Sequence, residues 1–491
     1  MSGSALAPKK KYDGIREHRP ETYNDYGAGS RFLEEGFRKK CLKNADRSFA
    51  QGLQCQQINS INALQSIEDS VFISHSPQGC VGCAALGTMQ YRIGQAHRGI
   101  RGNRTPKVIV TNLDQKDIIL GGEKKLREAV HAAEDRYHPK LIFVFTSCAS
   151  GIIGDDIDMI LDELQDEINA RLVPIHCEGF KSKVCGSGFD AAFIAIGKYL
   201  LDKEKRPTQK GLINLFAPVS ISYKDQLEIE RMLNQIGITC NYIPFYSSLD
   251  KIQNITAAEA STAVCKVFAD EFMKQLYEDY GIPYSHTVMP IGMRNTDKWL
   301  RGVAKIFHKE AEVEAVIASE HKRIEPEVEK IRARLEGKRV FICGGTGRSF
   351  AAAALIDDYG MKLIGLETPT YDIDAQTDIE YLNGIHGNFV VDIANMQPFE
   401  QVNLLNRLKP DVFIGVPEWA AKLGLPTTHV LDMKRPTFGY DGLLYLGNKI
   451  ADQLENPGFN KKLASHSKLP YKASWYETDP FKFIDNSVWK D

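Results

Sequence analysis

The sequence predicts an α/β protein built from three Rossmann-like domains, each a doubly wound parallel sheet. Three observations carry that expectation. Short β-branched runs recur along the chain, each followed by a turn and then a helical pattern, as strand–helix–strand units require. The 491 residues accommodate about three domains at roughly 150 residues each. Gly/Pro punctuation and polarity shifts fall near 206, in RPTQKG, and near 336, in EGKR.

Taken in order, residues 1–39 carry no apolar signal core and are expected to form a polar arm. The first domain, 40–205, has strands in SVFISHS, KVIVTNL, KLIFVFTSC and RLVPIHC, and a helix over 156–170. The second, 206–335, has strands in LINLFAPVS and TCNYIPF and a helix over 261–279, STAVCKVFADEFMKQLYED. Its charged helical stretch 309–335 links it to the third domain, 336–455. There the strands are KRVFICGG, MKLIGLE, NFVVDIA, DVFIGVP and THVLDM, and 456–491 form a C-terminal extension. No self-similarity at a period of about 20–50 residues suggests a solenoid.

Composition removes several function classes. A net charge of −2, from 61 basic and 63 acidic residues, gives no electrostatic case for nucleic acid. No basic amphipathic stretch argues for a membrane surface, and no apolar run reaches the roughly 18 residues of a bilayer span. Ten irregularly spaced cysteines read as reduced thiols of a cytoplasmic protein rather than a disulfide framework.

The chemistry begins with HSPQGCVGC, which places Cys80 and Cys83 three positions apart after an apolar strand. Structural zinc wants a second such pair, and none of the other cysteines supplies one. A thioredoxin-like motif opens a helix early in a small domain, which this chain is not. Ligands of doubly wound sheets gather beyond the carboxyl ends of strands. Cys80 and Cys148 both follow strands, and Cys55 lies just before the first of these units. Three thiols from separate loops suit iron–sulfur ligation, set against the ordinary reading of buried free cysteines. GGTGRSF is an incomplete dinucleotide-binding pattern, and no G-x-x-x-x-G-K-[ST] occurs, so the chain is not expected to hydrolyse ATP.

CVGCAALG after ISHSPQG, TSCASGIIGDDID, PIHCEGF, YGIPY and GYDG, in that order over roughly residues 40–455, resemble the α-type subunit of nitrogenase component 1. The resemblance implies that fold. It also implies that Cys55, Cys80 and Cys148 hold half of a P-cluster (8Fe-7S) shared with a homologous β-type subunit in an α2β2 heterotetramer. Cys83 would then be an alternative ligand or a bystander. Cys265, sixteen residues before Gly281, and His429, ten before Gly439, match the two anchors of the active-site cluster. The glycine-rich loop implicates Gly344, Gly345 and Arg348 in cradling that cluster. A homodimeric, ATP-hydrolysing 4Fe-4S iron protein would deliver electrons.

Departures from the family narrow the activity. Cys185, Phe189 and Asp190 stand where dinitrogen-reducing members carry a glutamine and a histidine pair, and a phenyl ring neither donates protons nor hydrogen-bonds. Gly347 replaces a cluster-contacting arginine, with Arg348 beside it, and Gly415 or Pro417 replaces a homocitrate-supporting lysine. These changes point to a large iron-only cluster (8Fe-9S-C-like) without molybdenum or homocitrate. The combination resembles methylthio-alkane reductases, which cleave C–S bonds of small thioethers to methanethiol and a hydrocarbon, feeding methionine synthesis. Phe189, with Ala63 and Leu64 nearby, would suit a soft apolar substrate. Cys185 is a hydrogen-bonding thiol, a proton donor or a cluster-contacting group, or else filler in a glycine-rich loop. The alternatives are a dinitrogen-reducing α chain with an unusual cofactor and a non-enzymatic scaffold for cofactor assembly; scaffolds of this kind tend to lack the histidine anchor.

Overall fold

Residues 26–28, 55–100, 105–181, 185–218, 221–265, 267–285, 288–369, 376–387, 389–393 and 398–478 are described by the computed structural model. Among them, thirteen strands run in chain order: β1 (Tyr26–Ala28), β2 (Ser70–Ser74), β3 (Lys107–Val110), β4 (Leu141–Phe145), β5 (Arg171–Ile175), β6 (Gln209–Phe216), β7 (Thr239–Ile243), β8 (Ala258–Ala263), β9 (Arg339–Cys343), β10 (Lys362–Thr368), β11 (Val390–Ile393), β12 (Val412–Ile414) and β13 (Thr427–Thr428). They form three sheets ordered β3-β2-β4-β5, β7-β6-β8 and β1-β11-β10-β9-β12-β13. Every pairing is parallel except that of β1 with β11.

All three sheets are doubly wound, so each has a point where the strand order reverses: between β2 and β4, between β6 and β8, and between β9 and β12. At such a point the loops leaving two neighbouring strands diverge to opposite faces and leave a crevice. Central strands buried on both faces read as continuous apolar runs. SVFIS and LIFVF are both buried throughout, with Phe72 stacked on Phe143 at 5.6 Å.

The second sheet is shared between two cores. Ile213 and Leu215 of β6 and Ala260 of β8 join the core of the third sheet. Phe216, Ile243 and Ala263 join that of the first. The 26-residue helix Glu310–Leu335 spans the second and third sheets with Val313, Ile317, Ile324 and Ile331 inward. No helix among the described residues is long and apolar enough to cross a membrane.

Several expected elements change. The stretch 261–279 is not one helix: Ala258–Ala263 is strand β8, and the helix begins only at Asp270. Cys265 therefore lies in the turn after a strand, not on a helix face. Ala, Ser and Thr in AEASTA mimic a helical composition, but pairing with β6 in the interior overrides it. The helix expected over 156–170 spans Ile157–Leu164, and THVLDM contributes only the two-residue β13. Within the expected polar arm, β1 pairs antiparallel along β11; the rest of 1–39 lies outside the described residues.

Candidate functional site

Cys55 N-caps the helix Gln56–Leu64, its carbonyl accepting the backbone and side-chain amides of Asn59 at 3.1 and 3.2 Å. Cys80 sits in the 3-10 turn Gln78–Ala84 that follows β2, and Cys148 opens the helix Cys148–Ile153 after β4. The last two therefore flank the crossing point of the first sheet. Gly179, after β5, brings the third sulfur in: a Cβ there would lie 3.3 Å from Cys55 Sγ and 3.4 Å from Cys148 Sγ. The Cys80 thiol is pushed above its ordinary pKa by burial and then by the charges of Cys55 and Cys148. So the three thiols converge on one loop cluster.

The GDD motif has a physical role here. His75 is fully buried, its Nε2 2.9 Å from Asp155 Oδ2 and its Nδ1 3.1 Å from Thr111 Oγ1. Asp155 also accepts the Gly122 amide at 3.0 and 3.1 Å. This bridge ties the loop bearing Cys80 to the loop that follows the Cys148 helix. Burial holds the His75 pKa below its usual value, against the opposing pull of Asp155. Asp156 caps the next helix by accepting Met159 N at 3.1 Å.

A second constellation gathers at the edges of the other two sheets. His429 follows β13, and Lys449 Nζ donates to its carbonyl at 3.3 Å. Arg348, on the helix Thr346–Asp358, donates Nη1 to the Val430 carbonyl at 2.7 Å and lies near the Phe438 ring. Burial lowers the Arg348 pKa, while the charges of Asp225 and Cys265 favour its protonated form. Arg348 thus bonds the His429 loop while lying within electrostatic reach of Cys265. Gly344 and Gly345 form the bend between β9 and this helix, and Gly415 crosses so near that a Cβ would lie 2.4 Å from the Cys343 carbonyl oxygen. Asp225 secures the far end of the His429 loop, accepting Phe438 N at 3.0 Å and Thr437 Oγ1 at 3.1 Å.

Phe189 lies half-buried on the helix Cys185–Ala195, its ring edge-to-face with Phe268 at 4.9 Å. Phe268 closes the Cys265 turn, its amide donating to the Cys265 carbonyl at 3.2 Å. Phe189 therefore stands beside the second constellation, through a ring that sequence reasoning missed. Ala63 and Leu64 are buried in the first core. The backbones of Cys83 and Cys185 are described, Cys185 opening a helix rather than lying in a loop; their side chains lie outside the described part.

Both places have the chemistry of iron–sulfur ligands. Three thiols near one another cannot all ionise without a compensating cation, which iron would supply as protons leave. Among the described residues no His, Cys, Asp or Glu group converges tightly enough for a single metal ion. At the second site His429 Nδ1 is buried with no hydrogen-bond partner. Its pKa is pushed down to about 4 by burial, with Arg348 and Lys449 adding. A neutral imidazole with an unshared ring nitrogen is the form that binds a metal.

A converging thiol set and a histidine with an unpartnered ring nitrogen, each at the crossing point or edge of a doubly wound sheet, suit a metallocluster-binding α/β protein. The chain belongs to the nitrogenase component 1 type oxidoreductase family, whose sequence pattern matches residues 55–455. The nitrogenase molybdenum-iron protein alpha chain of Methanosarcina barkeri is 31% identical, the match covering 80% of this chain and 83% of that one. The nitrogenase iron-molybdenum cofactor biosynthesis protein NifE of Methanococcus maripaludis is 27% identical over 85% of this chain and 86% of its own. The solved structure titled "Nitrogenase Cp1 at pH 5" superposes with a TM-score of 0.70 at 20% identity, covering 91% of this chain and 100% of that one. The last comparison speaks to fold alone.

Proposed function

We propose that this chain is the catalytic α-type subunit of a nitrogenase-like reductase that cleaves C–S bonds of small thioethers. The observation that carries the reading is the aromatic wall of Phe189 and Phe268 beside the Cys265 turn. Dinitrogen-reducing members of the family are expected to place a proton-donating histidine where Phe189 stands. An apolar wall next to a polarisable sulfur site favours a thioether, which is itself soft and weakly hydrogen-bonding.

In this reading Cys55, Cys80 and Cys148 hold half of a P-cluster-type group, and Cys265 and His429 hold the catalytic one. When bound, these clusters supply the electrons and a soft metal surface for sulfur. Two electrons and two protons convert a methyl thioether to methanethiol and a hydrocarbon: the C–S bond breaks, one proton ends on carbon and the other on sulfur. The chain's own task is to orient and exclude. Phe189, seated edge-to-face on the core residue Phe268, would present an apolar face to the substrate. Arg348 lies within electrostatic reach of Cys265 and bonds the loop that carries His429.

Two faces fit the expected partners. Phe180 and Ile152, both largely exposed, flank Cys148, and the Phe180 ring lies against the Cys148–Ile153 helix. That patch suits the β-type subunit that completes the shared cluster. Ile119 and Leu120 are 80% and 72% exposed on the neighbouring helix Gln115–Leu120, a ridge suited to an electron-donating iron protein.

A second reading rests on the relatives named as cofactor biosynthesis proteins: a scaffold that holds a cluster precursor and passes it on. One experiment separates the two. The chain, purified anaerobically with its β-type partner and supplied with the iron protein and ATP, is assayed on ethyl methyl sulfide and on dinitrogen, with metal analysis. Ethane and methanethiol from an iron-only complex support the reductase. No turnover, together with transfer of the cluster to an apo-acceptor, establishes the scaffold. Stoichiometric molybdenum in active protein overturns the iron-only cofactor.

A further inference from the structure

The strand that presents His429 is the least supported in its sheet. β13 is two residues long, lies at the sheet edge, and meets β12 through Phe413 N to the Pro426 carbonyl at 2.9 Å and Gly415 N to the Thr428 carbonyl at 2.8 Å. A strand so short cannot fix its own position. Arg348 and Lys449 hold the carbonyls of Val430 and His429 on the exit side, and support on the entry side comes from residues beyond the family-matched span. The helix Gly458–His466 lies behind β13, and its Asn460, 8% exposed, donates Nδ2 to the Leu425 carbonyl at 2.7 Å and to Thr427 Oγ1 at 3.2 Å. Those two acceptors straddle the entry to β13, and His429 follows Thr427 by two residues. The same helix backs onto the turn before the strand: Gly424 has φ +81°, and a Cβ there would lie 3.3 Å from Ala464 Cβ.

A second helix, Ala473–Glu477, follows it along the chain and is fastened to the helix Pro398–Leu408. Trp475 Nε1 donates to the Phe399 carbonyl at 2.9 Å, its ring sits 5.7 Å from that of Phe399, and Asn403 Nδ2 donates to the Thr478 carbonyl at 2.9 Å. The helical pair is thus fastened on the outside to the helix Pro398–Leu408 and reaches inward, through one buried amide, to the histidine strand.

We infer that this C-terminal helical pair is a clamp for His429 and that Asn460 is a positioning residue for the catalytic cluster. The inference rests on the reading of His429 as a cluster ligand. An imidazole bond to a metal demands a fixed ring position, and an edge strand of two residues acquires one only when its flanks are held. Asn460 supplies two donations to the entry of β13, one to the Leu425 carbonyl and one to the Thr427 hydroxyl, so replacing it frees that entry without altering Cys265 or His429.

The test uses the complex of this chain with its β-type partner, matured anaerobically, in three variants: N460D, N460A and H429A. N460D replaces the donation to the Leu425 carbonyl with repulsion, the Thr427 hydroxyl being free to turn and donate to the carboxylate; N460A simply removes both bonds. Amide hydrogen exchange over residues 425–430 is expected to quicken roughly tenfold in both Asn460 variants, as losing a buried hydrogen-bonded anchor implies. Exchange in β9, β10 and β12 should stay as in wild type. The electron paramagnetic resonance signal of the catalytic cluster should broaden or fall by more than half in N460D, while P-cluster iron stays constant. H429A should abolish that signal outright. If H429A removes the signal but N460D leaves both signal and exchange unchanged, the clamp is wrong. If N460D loosens the whole third sheet equally, Asn460 is merely structural and the inference fails too. If H429A keeps its catalytic signal, the ligand reading fails, and exchange at 425–430 still decides whether Asn460 holds the turn.

Discussion

Cys177 and Cys55 lie near each other, yet their surroundings differ. Cys177 is fully buried, donates Sγ–H to the Thr146 carbonyl at 3.3 Å, and has its pKa driven well up by burial and then by Glu178 and Cys55. Its Sγ–H is committed to a backbone carbonyl inside the first core. Replacing Cys55, Cys80 or Cys148 with alanine should therefore remove P-cluster iron, whereas Cys177→Ala, Cys240→Ala and Cys343→Ala should keep it; iron per αβ unit is the measurement. Cys83→Ala belongs with the second group, and iron loss equal to that of Cys80→Ala would make the C-x-x-C a true ligand pair. Phe189→His exchanges an apolar wall for a polar ring and removes an aromatic pair worth about 0.5–1.5 kcal/mol. Thioether turnover should fall several-fold, with at most slight dinitrogen reduction, because Cys185 and Gly347 remain. His429 has a signature of its own. With its folded pKa pushed down to about 4 against an ordinary value near 6.5, the unfolded chain carries a proton between those limits that the folded chain lacks. Stability from this residue is thus complete above pH 6.5 or so and is lost as pH falls toward 4. Denaturant midpoints of metal-free wild type should drop relative to H429Q across that window, and coincide in slope above it.

At the scale of elements, the site depends on helices packed closely enough to bring separate loops together. The helix carrying Phe189 touches the helix that Cys55 caps at Gly188, where a Cβ would lie 2.5 Å from the Gln56 carbonyl oxygen and 2.7 Å from Asn59 Cβ. Ser60 Oγ reinforces the contact by donating to the Gly188 carbonyl at 2.6 Å. Gly188→Ala forces these helices apart, at a cost of about 1–3 kcal/mol for overpacking. It should lower both the melting temperature and the P-cluster iron content, since Cys55 moves with its helix. A fall in melting temperature with full iron retention would show the two to be uncoupled. Element boundaries were legible where the physics is local. SVFIS and LIFVF are apolar on both faces because both are covered, and they appear as strands where the sequence predicts them. β8 was not, because AEASTA is a strand only by virtue of its place beside β6.

Across the whole molecule, the second sheet contributes alternate side chains to two different cores, so neither of its faces can be exposed without disturbing a neighbour. A charged network spans the same junction: Arg231 joins Glu228 at 2.8 Å and Glu320 at 2.6 Å, and Arg323 joins Asp441 at 2.7 Å. These contacts fasten the helices Tyr223–Asn234 and Gly439–Glu455 to the helix Glu310–Leu335. The thiol cluster instead opens outward: Cys148 is exposed and Cys55 and Cys80 are only partly covered. Three thiols complete no 8Fe-7S cluster alone, so the assembly is expected to be α2β2. Sedimentation or native mass spectrometry should show the heterotetramer; a monodisperse monomer with full iron would overturn it.

The three-sheet α/β fold and the position of Cys80 and Cys148 beyond strand ends follow from the sequence by itself, because hydrophobic periodicity and strand-end turns are properties of contiguous residues. The order of the ligand motifs is likewise written along the chain. Only the tertiary structure decided that Cys265 leaves a strand, that Phe268 joins Phe189 to its turn, that Asp155 locks His75, and that Asn460 reaches back to the strand of His429. Each of these joins residues distant in sequence through a hydrogen bond or ring contact. No local pattern encodes such a contact, since it exists only once the sheets have packed and brought their crossing points together.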